Sequence, residues 1–230
     1  MRFTLVIPGL FLFLFNAFGA ESPSAGTSFG VRFGMGWTQI LDEALNSTLR
    51  DMGQGTIDPA NLIPVEWGYE LLVGGLLTEV VTAQTSNTTL TALSGVHRTR
   101  FVWNTTEILF GTRWPLGKDL FAQAGVGVGI SKYLLQTYHS GSSTLDQALD
   151  QPGQINLVSS WNWTPVASTR VAWRFFRFPN LDSGLTLGMG VTAGINPLPA
   201  QWKLNDDVAL SGLGKPWGTS FRYQVWLGIE

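Results

Sequence analysis

The chain has 230 residues, of which 44% are hydrophobic and 13% charged, and it contains no cysteine. Soluble domains average about 25% charged residues, so this composition points away from an ordinary soluble globule, and the missing cysteines exclude a disulfide scaffold or a lipid-anchored thiol. With 14 basic against 16 acidic side chains there is no basic field for nucleic acid.

From the N-terminus, residues 1–20 read as a secretory signal. Arg2 is followed by an apolar run from Leu5 to Phe15, then by the small residues Ala17, Gly19 and Ala20. Residues 21–230 are expected to form a single domain exported to an outer membrane. Beyond the leader, no stretch approaches the roughly 20 apolar residues of a membrane helix. Asn46, Asn87 and Asn104 stand in N-x-[ST] triplets, which carry sugar only in a eukaryotic secretory host.

The first strand is expected over Phe29–Trp37. Phe29, Val31, Phe33, Met35 and Trp37 alternate there with Gly30, Arg32, Gly34 and Gly36, the period of two that defines a strand. A short amphipathic helix follows, with Ile40, Leu41, Ala44, Leu45, Leu49 and Met52 on one face, Thr38 as N-cap and Gly53 and Gly55 ending it. Two strands are expected between Leu62 and Leu93, where Val65–Val73 alternates and Leu77–Thr91, rich in Thr and Val, reads as another strand; Gly74–Gly75 is a turn or a bend, and the pattern does not place the junction. His97–Trp114 is a long strand with large residues on both faces. Lipid-facing charge costs a few kcal/mol near the bilayer midplane, which turns Glu107 and Arg113 inward and carries Phe101 and Trp103 with them. After the turn Pro115–Asp119, the strand Leu120–Tyr133 faces Val126 and Val128 outward and Gly125, Gly127 and Gly129 inward. On that facing, Val126→Arg blocks insertion into lipid, whereas Gly127→Ser is far better tolerated.

Polar loop composition runs from His139 to Gln154. Strands then follow over Ala167–Phe175 and Leu185–Ile195, separated by the turn Pro179–Asp182. A last loop, Pro197–Pro216, precedes a closing strand that ends FRYQVWLGIE. There Phe221, Tyr223, Val225, Leu227 and Ile229 oppose Arg222, Gln224, Trp226, Gly228 and Glu230. The count is eight strands, with short turns and long loops alternating as in outer-membrane barrels. The fold class is therefore all-β: an eight-stranded antiparallel transmembrane β-barrel with a short amphipathic helix in the first long loop. An eight-stranded barrel has an interior just wide enough for side chains, and small inward residues predict a narrow bore. The inward charges Arg32, Glu107, Arg113, Arg170, Arg174 and Arg222 are candidates for a lumen ion-pair ladder or a gate, since buried arginines must be paired or hydrated.

Four segments carry a family resemblance: WGYELL at residues 67–72, FAQAGVG at 121–127 with the turn before it, Ser160–Trp161, and Lys215–Pro216–Trp217. In this order they resemble the OmpW family of small eight-stranded outer-membrane barrels, and more distantly the OmpX and OmpA membrane-domain type. The resemblance implies an apolar pocket in the upper lumen through which small hydrophobic molecules pass, for which Phe101 and Trp103 are the candidates. Two features depart from that family. The chain ends in Glu230 where such barrels present an aromatic to the assembly machinery, and residues 38–64 differ from its first loop and second strand.

Catalysis has little to stand on. His97 and His139 are the two histidines, and His139 near Ser140, Ser142 and Ser143 lacks the His-x-Ser-Asn arrangement of lipid A deacylases. No metal-ligand spacing or cofactor motif is present, and the Gly125–Gly129 run is followed by strand rather than by the helix a nucleotide loop needs. The expected function is passive uptake or binding of small hydrophobic or amphipathic molecules. The alternative is a closed structural barrel whose loops, at residues 141–153 and 197–215, meet host or matrix proteins. Expected partners are outer-membrane lipid, the barrel assembly machinery and such solutes, with no metal and no cofactor.

Overall fold

The computed structural model describes residues 27–40, 46–47, 62–85, 88–91, 97–139, 155–159, 161–179, 183–195, 201–204, 208–209 and 219–230. The expected leader, residues 1–20, lies outside them, as does the expected loop helix apart from Thr38–Ile40, which belong to the first strand, and residues 46 and 47, which have helical backbone. The strands are β1 (Thr27–Ile40), β2 (Pro64–Val73), β3 (Leu76–Thr85), β4 (Thr88–Thr91), β5 (His97–Pro115), β6 (Leu120–His139), β7 (Ile155–Ser159), β8 (Asn162–Arg177), β9 (Gly184–Ile195), β10 (Trp202–Leu204), β11 (Val208–Ala209) and β12 (Thr219–Ile229).

Eight of these, β1, β2, β3, β5, β6, β8, β9 and β12, form an antiparallel ring that closes where β12 pairs with β1. Closure leaves no unpaired edge around the ring. The β2–β3 turn is Gly74–Gly75, with φ of 56° and 86°, the left-handed pair that a two-residue hairpin turn of the right twist requires. The turns after β2, β5 and β8 are short and share one rim with Thr27 and Glu230, whose backbone exchanges hydrogen bonds with Gly184. The longer connections after β1, β3, β6 and β9 all leave from the opposite rim.

The expected facing holds. Phe29, Phe33, Met35 and Trp37 of β1 are exposed, while Arg32 between them is buried. The same exposed band continues through Trp67, Tyr69, Phe110, Val126, Trp173, Met189 and Tyr223. From Phe29 to Trp37 is about 26 Å along the strand. Tilted about 40°, that spans about 20 Å of height, most of the roughly 25 Å apolar band of a membrane barrel. Aromatic residues mark both margins. Phe29 stacks with Tyr69 at 6.2 Å on the short-turn side, and Trp37 meets Tyr223 at 6.0 Å on the other.

Three expectations are corrected. Thr38 is not a helix cap: β1 runs on to Ile40 because β12 offers partners there, with Thr38 opposite Arg222 and Ile40 opposite Ser220. The Thr38 N–H also donates to the Leu62 carbonyl at 3.0 Å. The stretch 77–91 is two strands, β3 and β4, both paired with β5. Gly127 is not an open inward position. A Cβ there would press against the Ile108 carbonyl of β5, so a side chain would force two paired strands apart.

Beyond the ring, the β5–β6 hairpin continues on the long-loop side. β3 leaves β5 at Asn104 and β8 leaves β6 at Ser131, yet seven more paired rungs run from Trp103↔Tyr133 to His97↔His139. That is about 23 Å of further ladder. β4 pairs along its β5 side, and β7, β10 and β11 extend from its β6 side.

Val126→Arg is expected to destabilise the folded protein in lipid by about 2–4 kcal/mol, with Val126→Leu neutral. Gly127→Ser is also expected to destabilise, for the steric reason above. Urea unfolding in vesicles, followed by heat-modifiable gel mobility, measures all three.

Candidate functional site

The lumen is built by the inward halves of the alternating strands, and it is filled by charge. Arg32 (β1), Arg113 (β5), Arg170 and Arg174 (β8) and Arg222 (β12) meet Glu66 and Glu70 (β2), Glu79 (β3), Glu107 (β5) and Glu230 in three groups of ion pairs. Five arginines face five glutamates, so the side-chain charge of the set cancels.

Three clusters follow one another along the bore. At the short-turn end, Arg113 Nη2 donates to Glu70 Oε1 at 2.7 Å and pairs with Glu230, which Arg174 Nη2 also reaches at 3.2 Å. In the middle, Glu79 is shared by Arg32, at 2.6 Å, and Arg170. Toward the long-loop end, Arg222 grips Glu107 with two bonds of 2.7 and 2.6 Å and reaches Glu66 at 2.5 Å. Gln224 joins the last two clusters: its amide donates to Glu66 Oε2 at 2.7 Å and accepts from Arg170 Nε at 3.0 Å.

Aromatic rings close the column at each end. The Arg222 guanidinium lies 6.0 Å from the Trp103 ring, Arg113 lies 4.4 Å from Phe121, and Arg32 lies 5.7 Å from Trp226. Such contacts suit desolvated guanidinium groups. Trp226 also packs with Phe121 and Ala172, while Val81, Leu109 and Val166 form a second apolar cluster.

The expected narrow bore is not what the glycines provide. Across the ladders, Arg32 faces Gly68 and Gly228, Glu70 faces Gly30, Glu107 faces Gly129, Arg170 faces Gly190, and Trp226 faces Gly34 and Gly188. A Cβ on Gly30 would lie 2.8 Å from Glu70 Cγ, and one on Gly68 would lie 3.1 Å from Arg32 Nε. The glycines make room for long side chains, and those side chains occupy the space.

All six inward charges singled out in the sequence lie in this lumen: Arg32, Glu107, Arg113, Arg170 and Arg222 are buried, and Arg174 is partly buried. Phe101 and Trp103 also face inward, at the long-loop end. They are 0% and 3% exposed, so they are packed and do not line an open pocket. Phe101 stacks on Tyr133 at 6.2 Å, and the Trp103 backbone N–H donates to Thr85 Oγ1 at 2.9 Å. The sequence reading did not gather Glu66, Glu70, Glu79 and Glu230. The signal was present for three of them: Glu66 and Glu70 alternate with Trp67, Tyr69 and Leu71, and Glu230 shares its face with Arg222 and Gln224. Thr and Val on both faces of residues 77–91 hid Glu79.

His97 and His139 are register partners in the last rung of the β5–β6 hairpin; Ser140, Ser142 and Ser143 lie outside the described residues. Among the described residues, no three His, Cys, Asp or Glu gather as a metal site.

No family model and no curated protein matches the chain, so the OmpW resemblance rests on its four motifs. Solved structures do match. Neisserial surface protein A is 11% identical with a TM-score of 0.48, the match covering 89% of this chain and 97% of that one. Ail, the attachment invasion locus protein of Yersinia pestis, is 10% identical with a TM-score of 0.45, covering 89% and 96%. Both are small eight-stranded outer-membrane barrels.

Removing one member of the ladder leaves a buried charge without its counter-ion. Glu79→Gln strips both Arg32 and Arg170 of a carboxylate and is expected to cost about 3–5 kcal/mol. Arg177→Ala breaks the exposed pair with Asp119, 2.7 Å apart, and is expected to cost about 0–1 kcal/mol. Urea titration of both variants in vesicles gives the comparison.

Proposed function

We propose that this chain is an outer-membrane β-barrel with a closed lumen, and that it works through its long-loop rim as a surface-binding scaffold. The observation that carries this reading is the lumen itself. Ion pairs, Gln224, Trp226 and two apolar clusters occupy successive levels of the bore, and eight strands leave no width for a path beside them. A passive pore would need a continuous water-lined or apolar channel, whereas Phe101 and Trp103, the residues that would line an entry pocket, are packed away from solvent.

The rim supports the other half of the reading. The β5–β6 hairpin stands beyond the ring, and the connections after β3, β6 and β9 contribute β4, β7 and β10–β11 to the same sheet. Loops organised as strands present a defined surface at low ordering cost, and binding residues commonly sit on loops held by a rigid scaffold. A host or matrix protein is the class of partner that such an outward surface would meet. The barrel's exposed apolar band supports the membrane location, with the long-loop rim outside.

Planar-bilayer recording on the folded mature protein tests the closed lumen. An electrically silent membrane containing demonstrably folded barrel is the expected result. Discrete channels that a long-chain amphiphile blocks would overturn it in favour of uptake of hydrophobic solutes.

A further inference from the structure

The outer apolar band is not uniform. Over β1, β2 and β12 it carries exposed Phe33, Trp37, Trp67, Tyr69 and Tyr223. At one level of β6, β8 and β9 it drops to small residues, with Val126, Ala167, Ala193 and Phe221 following one another along a single rung, while Trp173 and Met189 stand above the surface nearer the short-turn rim. Phe110 of β5 and Phe221 of β12 bound this low ground, which forms an apolar groove of about 800 Å³ on the outside of the barrel. Pro165, opposite Val128, belongs to the same lining.

Following β6 and β8 toward the long-loop rim, the surface changes character in step. Ile130 stands opposite exposed Trp163. Then comes Lys132, whose Nζ lies 5.4 Å from the ring of exposed Trp161. From Val126 to Lys132 is about 20 Å along the strand, or about 15 Å of height at the tilt of such a barrel. That is about half the 30 Å hydrocarbon thickness of a bilayer. The groove therefore lies at acyl-chain depth, and the ammonium lies one leaflet higher, among the tryptophans that mark a membrane interface.

We propose that this groove is a lipid site: it holds the acyl chains of one anionic lipid of the leaflet on the long-loop side, with the lipid phosphate beside Lys132. The groove's volume falls in the range of pockets that enclose small ligands. Its walls offer chains a concave contact that the bulky surface of β1 and β2 does not. A single lysine at headgroup level selects for negative charge. The inference rests on the membrane reading of the barrel, but not on whether its lumen conducts.

The experiment is native mass spectrometry of the folded protein released from micelles doped with equal amounts of phosphatidylglycerol and phosphatidylcholine of the same chains. The wild type is expected to retain one phosphatidylglycerol, in about fivefold preference over phosphatidylcholine. Lys132→Gln should erase the preference while keeping chain retention. Ala193→Phe, an apolar change on a lipid-facing position, should fill the groove and reduce retention of both lipids. Equal retention of the two lipids by the wild type, or an unchanged preference in Lys132→Gln, overturns the proposal. So does a cross-linked dimer that Ala193→Phe abolishes, which would give the groove to a second copy. Failure of the membrane reading would show separately, as no heat-modifiable folding in vesicles of any composition.

Discussion

The rest of the structure depends on fitting ten charged side chains into a bore that eight strands keep narrow. Bringing an ion from water into a low-dielectric interior costs several kcal/mol unless a counter-ion meets it with good geometry. Here each arginine finds a glutamate on another strand, and many of these long side chains lie across from a glycine in the ladder. The glycines do not open the lumen; they admit the arginines. The arginines in turn specify register, because a slip of one residue in a strand would send its lumen charges to the lipid face and its lipid-facing aromatic residues inward. A neutral, well-packed interior of equal volume could be as stable. What the ion pairs add is a penalty on every wrong alignment of the eight strands.

Much of this was legible in the chain. Alternation in 29–37, 120–133, 185–195 and 221–230 gave the strands and their facing. In β5, where both faces hold large residues, Glu107 and Arg113 decided the register correctly. The pairing was not legible. Arg222 lies 115 residues from Glu107, and no local pattern announces that the two will meet across a lumen. The role of the glycines stayed hidden for the same reason, since a glycine facing space and a glycine facing Arg170 look alike in one strand. Gly127 was misread as tolerant because its neighbour, the Ile108 carbonyl, belongs to another strand.

The rim shows a different limit. β7, β10 and β11 are too short to show a period: WKL and VA lie inside the stretch 197–216 that reads as loop, and INLVS directly follows the polar run 139–154. They are strands because the long β5–β6 hairpin offers β7 an edge, and β7 and then β10 offer the next edge in turn, which is a tertiary cause. Thr38 follows the same rule. Its local signal suited a helix start, but open backbone partners on β12 extended β1 by three residues, Thr38 to Ile40.

β12 is the strand that finishes the interior. β12 brings Arg222, Gln224 and Trp226, with Glu230 at its end, and their partners reach back to Glu66 on β2. Without β12, the other seven ring strands would leave Glu66, Glu107 and Arg174 wet and without their counter-ions, while Arg113 would keep only Glu70. Closing the seam expels that water and creates most of the salt links at once. Assembly is then all-or-none at its final step, dominated by contacts between distant parts of the chain and correspondingly slow. A chain stopped before residue 219 would keep Arg32–Glu79–Arg170 and Arg113–Glu70 but leave Glu66, Glu107 and Arg174 without counter-ions.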